Sequence, residues 1–442
     1  MSNQLTELSK ANQAGCLPAR VGLESSWVAK GLILFWLLRI FKPEWILSYY
    51  VPSVSFLRSI PTGLLIVLIV GAIAQGRKLK FDRPMTWFAI AMIASTIFSA
   101  NRALSIPIMR WSIETVLICA LYSAYFSTEA SIKKLFNVYL VSLVLFGFWG
   151  IGAGGKVSAF LPLEDEDSYG PYMAMGVSLA YFFWRAEPTK GMRRLSSLSF
   201  FFSFAGAIAS LARGTFLSLV ALFGYIFLRA ENKAKFIFRS SVVIAIGVFV
   251  AVSLAPQFVE VYMGEVQSIW GESYKEGTGN HRFWMWSRAL LIFADNPILG
   301  AGPGCYGHVV NDYVTQEAAN EWGVRTQMYG QHIHNIYFEL LSETGASGVI
   351  ALFALLYVFR KKNLRIRETS RRVVMKLSGS GPAAEARRLQ FYALALEGGV
   401  FAFLINSFFF NLLYYTWFWD LLILNLLLYQ RILAIEAEAN RK

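Results

Sequence analysis

Residues 330–348 read GQHIHNIYFELLSETGASG. Two of the chain's four histidines, His332 and His334, stand here, followed by Asn335 at the mouth of an apolar run. A neutral imidazole accepts a proton from a hydroxyl near physiological pH, so His334 is expected to act as a general base. Asn335 suits either orienting that ring or capping the helix that follows. Arg282 falls in 279–288, GNHRFWMWSR, where the spacing predicts a helix with Arg282, Trp286 and Ala289 on one face. Arg213 falls in 210–214, SLARG, at a turn between two apolar runs. A guanidinium stays charged and donates paired hydrogen bonds that match phosphate oxygens, and among apolar flanks it is costly unless paired or functional. A base and an anion clamp are therefore the chemistry on offer.

Weaker signals surround this set. Arg110 has Glu114 at i+4, which allows either an internal ion pair or a contact with a lipid diphosphate. The stretch 296–304, NPILGAGPG, is a turn whose alternate glycines permit close backbone approach. Trp270, Trp284, Trp286 and Trp322 are candidates to stack on a ligand or simply to pack the loop. His-x-His supplies two metal ligands and no third Cys or His nearby, so no metal is expected. Cys16, Cys119 and Cys305 are too scattered for a disulfide framework.

These residues must be held by a membrane scaffold. Of 442 residues, 56% are hydrophobic and 16% charged, against nearer a quarter charged in soluble domains. Long apolar runs without strand alternation predict an all-α integral membrane protein. About twelve spans are expected: 27–42, 56–75, 84–100, 105–126, 133–152, 169–186, 195–212, 214–229, 240–255, 335–359, 389–411 and 414–431. Lys and Arg cluster after every second span, while a loop between clusters carries Glu164, Asp165, Glu166 and Asp167. The positive-inside rule then puts both termini in the cytoplasm. Residues 1–26 read as a cytoplasmic tail with no cleavable signal peptide, 27–255 as helices one to nine, and 432–442 as a second tail. Residues 256–334 form a large external loop between helices nine and ten. Residues 360–388 read as a basic linker with a surface-lying amphipathic piece. The net charge of +13 is thus a topology signal and a contact with anionic lipid head groups, not a nucleic-acid footprint.

The motifs Arg282-x-x-x-Trp286-x-x-Ala289, Asn296-Pro-Ile-Leu-Gly300-x-Gly302-x-Gly304, His332-x-His334-Asn335, Glu343-Thr-Gly345 with Gly348, and Ser210-x-x-Arg213-Gly214 resemble the O-antigen ligase and O-antigen polymerase superfamily. The resemblance implies an enzyme of the bacterial inner membrane with a periplasmic active site. The implied donor is a glycan on undecaprenyl diphosphate. The acceptor is lipid A–core in ligases, the next repeat unit in polymerases, and a protein hydroxyl in the oligosaccharyltransferase branch. A single long loop ahead of the third-last span favours the ligase. Transfer would invert the anomeric centre and need neither nucleotide, metal nor other cofactor. His334, Arg213 and Arg282 would be catalytic, with His332, Asn335, Arg110, Trp286, Arg288 and Gly302 contacting substrate. A secondary transporter is the rival of another class, with Arg110, Glu114, Glu397, Asn406 and Asp420 as its intramembrane polar candidates.

Overall fold

The computed structural model describes residues 26–157, 160–238, 241, 263–264, 277–322, 329–411 and 413–441. Within them the fold is helical and has no strand. The long helices are α1 (Trp27–Phe41), α2 (Ile60–Ala74), α3 (Arg83–Ile97), α4 (Arg102–Tyr125), α5 (Glu129–Gly152) and α6 (Glu166–Ala186). They continue as α7 (Lys190–Ala209), α8 (Arg213–Arg229), α9 (Gly277–Asp295), α10 (Ile336–Lys376), α11 (Gly381–Asn406) and α12 (Thr416–Arg441). A helix stands at each expected span except 240–255, which apart from residue 241 lies outside the described residues. Among the described residues six helices are long and apolar enough to cross a membrane: α4, α5, α10, α11, α12, and α2 with its lead-in from Pro52. The chain is a helical membrane protein.

Local chemistry sets the helix starts. Side chains of Ser26, Asn101, Thr128, Asp165, Asn335 and Ser380 accept from the first-turn N–H groups of α1, α4, α5, α6, α10 and α11. Pro43 and Pro52 break the region between α1 and α2 into a short helix and a 3-10 stretch, with Lys42 left-handed at the first break. α6, α11 and α12 are the most enclosed elements; α11 packs on α6, α8, α10 and α12. The segment around α9 has a separate small core of Trp284, Met285, Ile292, Tyr306, Val310 and Ile333.

Two expectations change here. Residues 360–388 are not a linker with a surface-lying piece. α10 continues past 360 to Lys376, the turn is only four residues, and α11 begins at Gly381. The extension buries Ile366, Thr369, Ser370 and Val373, and Arg365 and Arg372 pair with Glu436 at 3.2 and 2.9 Å. Residues 432–441 likewise continue α12 rather than forming a tail. The polar residues that would serve a transporter are also engaged by the protein itself. Arg39 meets Asp420 at 2.6 Å, Glu397 is shared by Arg229, Arg360 and Arg367, and Asn406 accepts from Thr215.

α10 is interrupted at Gly345, whose φ is 61° and ψ −158°. The loop after α9 fills the interruption. The N–H groups of Ala301 and Gly302 donate to the carbonyls of Ser342 and Glu343 at 2.9 and 2.8 Å. In return, the N–H groups of Ala346 and Ser347 donate to Pro297 and Ile298 at 2.8 and 3.1 Å. A methyl group on Gly345 would stand 2.6 Å from the Ile298 carbonyl carbon and 2.8 Å from the Gly300 nitrogen. Both are backbone atoms and cannot give way as a flexible side chain would. Gly345→Ala is therefore expected to cost about 2–4 kcal/mol through left-handed strain and this clash. Gly63→Ala, in open space on α2, should be near neutral. Thermal unfolding in detergent of the two variants checks the difference.

Candidate active site

The turn that carries His334 is built by four neighbours. Asn335 caps α10, its Oδ1 accepting from the N–H groups of Tyr337 and Phe338 at 2.9 and 3.2 Å. Its Nδ2 donates to the Phe408 carbonyl at 3.1 Å, and its own N–H donates to Asn411 Oδ1 at 3.0 Å. Asn411 Nδ2 in turn donates to the buried Glu339 at 2.9 Å. On the other side the Trp286 indole N–H donates to the Ile333 carbonyl at 3.1 Å, and its ring stacks on Phe338. Pinned at both ends, His334 sits at φ 51°, a left-handed conformation costly for a non-glycine residue.

The ring itself is half-buried against Phe410. Its Nδ1 is buried without a hydrogen-bond partner among the described residues, so no bond locks the tautomer. Burial, and then the electrostatic influence of Arg282, His332 and His281, push the His334 pKa down to about 4. The imidazole is thus neutral and able to accept a proton at pH 7. Arg282 is close enough to act on it electrostatically.

Arg213 reaches the same corner through the 406–411 turn. A methyl group on Gly214 would lie 2.9 Å from Phe409 Cβ, and the next residue, Phe410, faces His334. Thr215 adds a bond to Asn406. Arg213 is the first residue of α8, whose N-cap Ala212 offers no side-chain cap and follows the left-handed Leu211. A helix N-terminus carries partial positive charge, so a cation placed there is unfavourable until an anion joins it. Asp167 lies within electrostatic reach of both Arg213 and Arg282. Burial and the neighbouring Asp165 raise its pKa to about 6, against the pull of the two arginines.

Other expected contacts are placed differently. Asn335 uses its whole amide in the cap, so it positions His334 rather than meeting a ligand. Gly302 is buried, and a side chain there would strike Ser99 Oγ at 2.1 Å; the partner of its close approach is the protein's own backbone and Ser99. Arg288 lies over the buried Trp284 ring at 4.2 Å and donates to the Tyr313 carbonyl at 2.9 Å, which makes it part of the small core around α9. Trp284 and Trp322 pack together there. Trp286 holds the histidine turn. Arg110 is exposed and bonded to Glu114 and Thr62 at 2.8 and 2.7 Å, the internal pair rather than part of the His334 corner. His332 is exposed beside His334. Trp270 lies outside the described residues. Residue type and spacing give no site role to Asp167, Asn411 or His281. Asp167 had shown only as one of four adjacent acids, and a lone asparagine such as Asn411 gives no signal in sequence.

Residues 198–353 match the family model described as O-antigen ligase. The match contains Arg213, Arg282, His334 and the Gly345 break, and it meets the resemblance carried by the motifs. No curated protein matches the chain.

With four histidines in all, selective labelling resolves each ring by NMR. His334 is expected to titrate near 4. In Arg282→Gln it should titrate higher, because a repelling charge is removed, yet stay below an ordinary histidine because burial is the larger cause. An unshifted value in that variant would separate Arg282 from the site.

Proposed function

From a chain that carries an O-antigen ligase superfamily segment, we propose that this protein is an O-antigen ligase. It moves a glycan from undecaprenyl diphosphate to the lipid A–core oligosaccharide at the periplasmic face of the inner membrane. The observation that carries the reading is the convergence of a neutral, half-buried imidazole with Arg282 and Arg213 at one corner, although the three residues are spread along the chain.

His334 takes the proton of the acceptor hydroxyl. The hydroxyl oxygen forms a bond to the anomeric carbon from the face opposite the diphosphate. The carbon–oxygen bond to the diphosphate breaks, and its electron pair stays on the leaving oxygen. Arg213, Arg282 and the uncapped start of α8 face that growing negative charge, where preorganised cations lower the barrier most. Attack from the opposite face inverts the centre. The site stands at the membrane surface because a lipid-tethered donor presents its sugar there.

A pKa near 4 makes the free imidazole a weak base. Bound diphosphate cancels the charge of Arg282 and so raises the basicity of His334 when donor is present. The pH profile of kcat/KM reports the free enzyme and that of kcat the complex. Activity through His334 is lost as pH falls and the ring protonates. The acid limb of kcat/KM is therefore expected near 4, and that of kcat at higher pH. Coincident limbs would contradict this coupling.

Purified protein mixed with lipid-diphosphate glycan and lipid A–core, without nucleotide and with a metal chelator, should give a ladder shift on a gel. His334→Ala should lose about 100-fold or more, as for removal of a general base. Arg282→Gln and Arg213→Gln should each lose on the order of 100-fold, as for loss of an oxyanion donor. Longer glycans left on the carrier lipid would identify a polymerase instead. Absence of transfer to every acceptor, protein included, would end the enzyme reading.

A further inference from the structure

The end of the bundle opposite His334 holds a second concentration of arginines. α6 has Asp167 near the active-site corner at its start and Arg185 roughly 27 Å further along, at 1.5 Å per residue. Around Arg185, a cavity of about 480 Å³ is walled by the starts of α7 and α11 and the end of α10. It presents Arg185, Arg193, Arg387 and Arg388, against a single acid, Glu187. The Glu187 carboxylate is itself taken by Lys133 and Tyr392. A second cavity of about 280 Å³ presents Arg229, Arg367 and Arg371, and shares Arg185 and Phe391 with the first.

Most of these cations serve the fold. Arg185 pairs with Glu231, Arg388 with Glu129, and Arg229 and Arg367 with Glu397. Arg387 in the first cavity and Arg371 in the second are exposed and have no partner among the described residues. Each cavity thus keeps one guanidinium uncommitted. The first also receives the positive starts of α7, whose cap Thr189 makes no side-chain bond, and of α11. Trp184 and Leu228, which directly precede Arg185 and Arg229, are 40% and 70% exposed. Outward apolar side chains beside inward arginines mark the level where acyl chains give way to head groups.

We propose that the two cavities form one site for an anionic phospholipid, in which a head group with two phosphodiesters places one in each cavity. The uncommitted Arg371 and Arg387 bind the phosphates, and the shared Arg185–Phe391 wall lies between them. The lipid would clamp α6, α7, α10 and α11 together at the end remote from the chemistry.

Full-length protein, delipidated in detergent, is titrated with diphosphatidylglycerol, phosphatidylglycerol and phosphatidylcholine, with bound lipid counted by native mass spectrometry. The two-phosphate lipid is expected to bind at least tenfold tighter than either other lipid. The double variant Arg371→Gln/Arg387→Gln should lose that binding at least tenfold without a change in thermal unfolding, since neither side chain has a protein partner among the described residues. The charge-matched pair Lys78→Gln/Lys80→Gln, exposed at the same end ahead of α3, should bind as the parent does. Equal loss in that control would reduce the effect to general surface charge and overturn the proposal. So would equal binding of the one-phosphate lipid, or displacement of the lipid by inorganic phosphate at comparable concentration.

Discussion

A broken helix holds this structure together. Where α10 stops and restarts at Gly345, the backbone frees carbonyls and N–H groups within an apolar bundle, and each left unsatisfied there would cost several kcal/mol. The loop 297–302 answers with two donors and two acceptors, and Ser95 adds a hydroxyl to the Glu343 carbonyl at 2.9 Å. The repair is reciprocal, because the loop's own peptides are satisfied by the same bonds. Since α9 leads directly into that loop, fixing the loop fixes α9 against the start of α10. Arg282 on α9 and His334 ahead of α10 are then held within electrostatic reach of each other by backbone pairing that begins 15 residues after the one and 8 after the other. Two motif groups that look like ligand-binding signatures in sequence, the alternate glycines and the Glu-Thr-Gly stretch, are the two halves of this joint.

The second joint is the turn after α11. Ser407 accepts from the Ile336 N–H, Phe408 and Asn411 hold Asn335, Phe409 fits against Gly214, and Phe410 meets His334. Five consecutive residues therefore touch the start of α8, the cap of α10 and the ring between them. This turn is what ties the start of α8, where Arg213 stands, to the histidine turn. It also joins the buried acids of α10 to the site, since Asn411 holds the His334 turn with one end of its amide and Glu339 with the other.

How much of this was legible follows from what periodicity and residue type can report. Apolar runs of bilayer length marked the helices well, because burial in lipid or bundle leaves a direct composition signal. The same reasoning failed at 360–388. Charge there suggested a solvated linker, but Arg360, Arg365, Arg367, Arg372 and Arg388 pair with Glu397, Glu436 and Glu129, whose partnership is set by packing and not by proximity in sequence. At the candidate site, His334, Arg282 and Arg213 stood out in the sequence because charged or titratable groups beside apolar runs need a reason to be there. Arg288 is an arginine of the same loop and serves packing, while Gly302 and Asn335 serve loop closure and capping. Type and spacing do not distinguish a guanidinium that meets a phosphate from one that covers Trp284. What the guanidinium packs against does, and that is a property of the fold.

The electrostatics of the corner argue for an order of events in the proposed reaction. Before any ligand arrives, Arg213 and Arg282 are answered in part by Asp167, whose burial and acidic neighbour already work against its ionisation. Burial first, and then the same Arg282, disfavour a charged imidazole at His334. Acceptor alone would meet a base held too weak to activate it. A diphosphate changes both balances at once: it supplies the arginines with a stronger partner than Asp167 and removes the repulsion felt by the imidazole. The base gains strength only when the leaving group is in place. A hydroxyl that enters without a donor, water included, finds neither an electrophile nor an effective base, so the charge arrangement that lowers the barrier also ties activation of the acceptor to the presence of the donor.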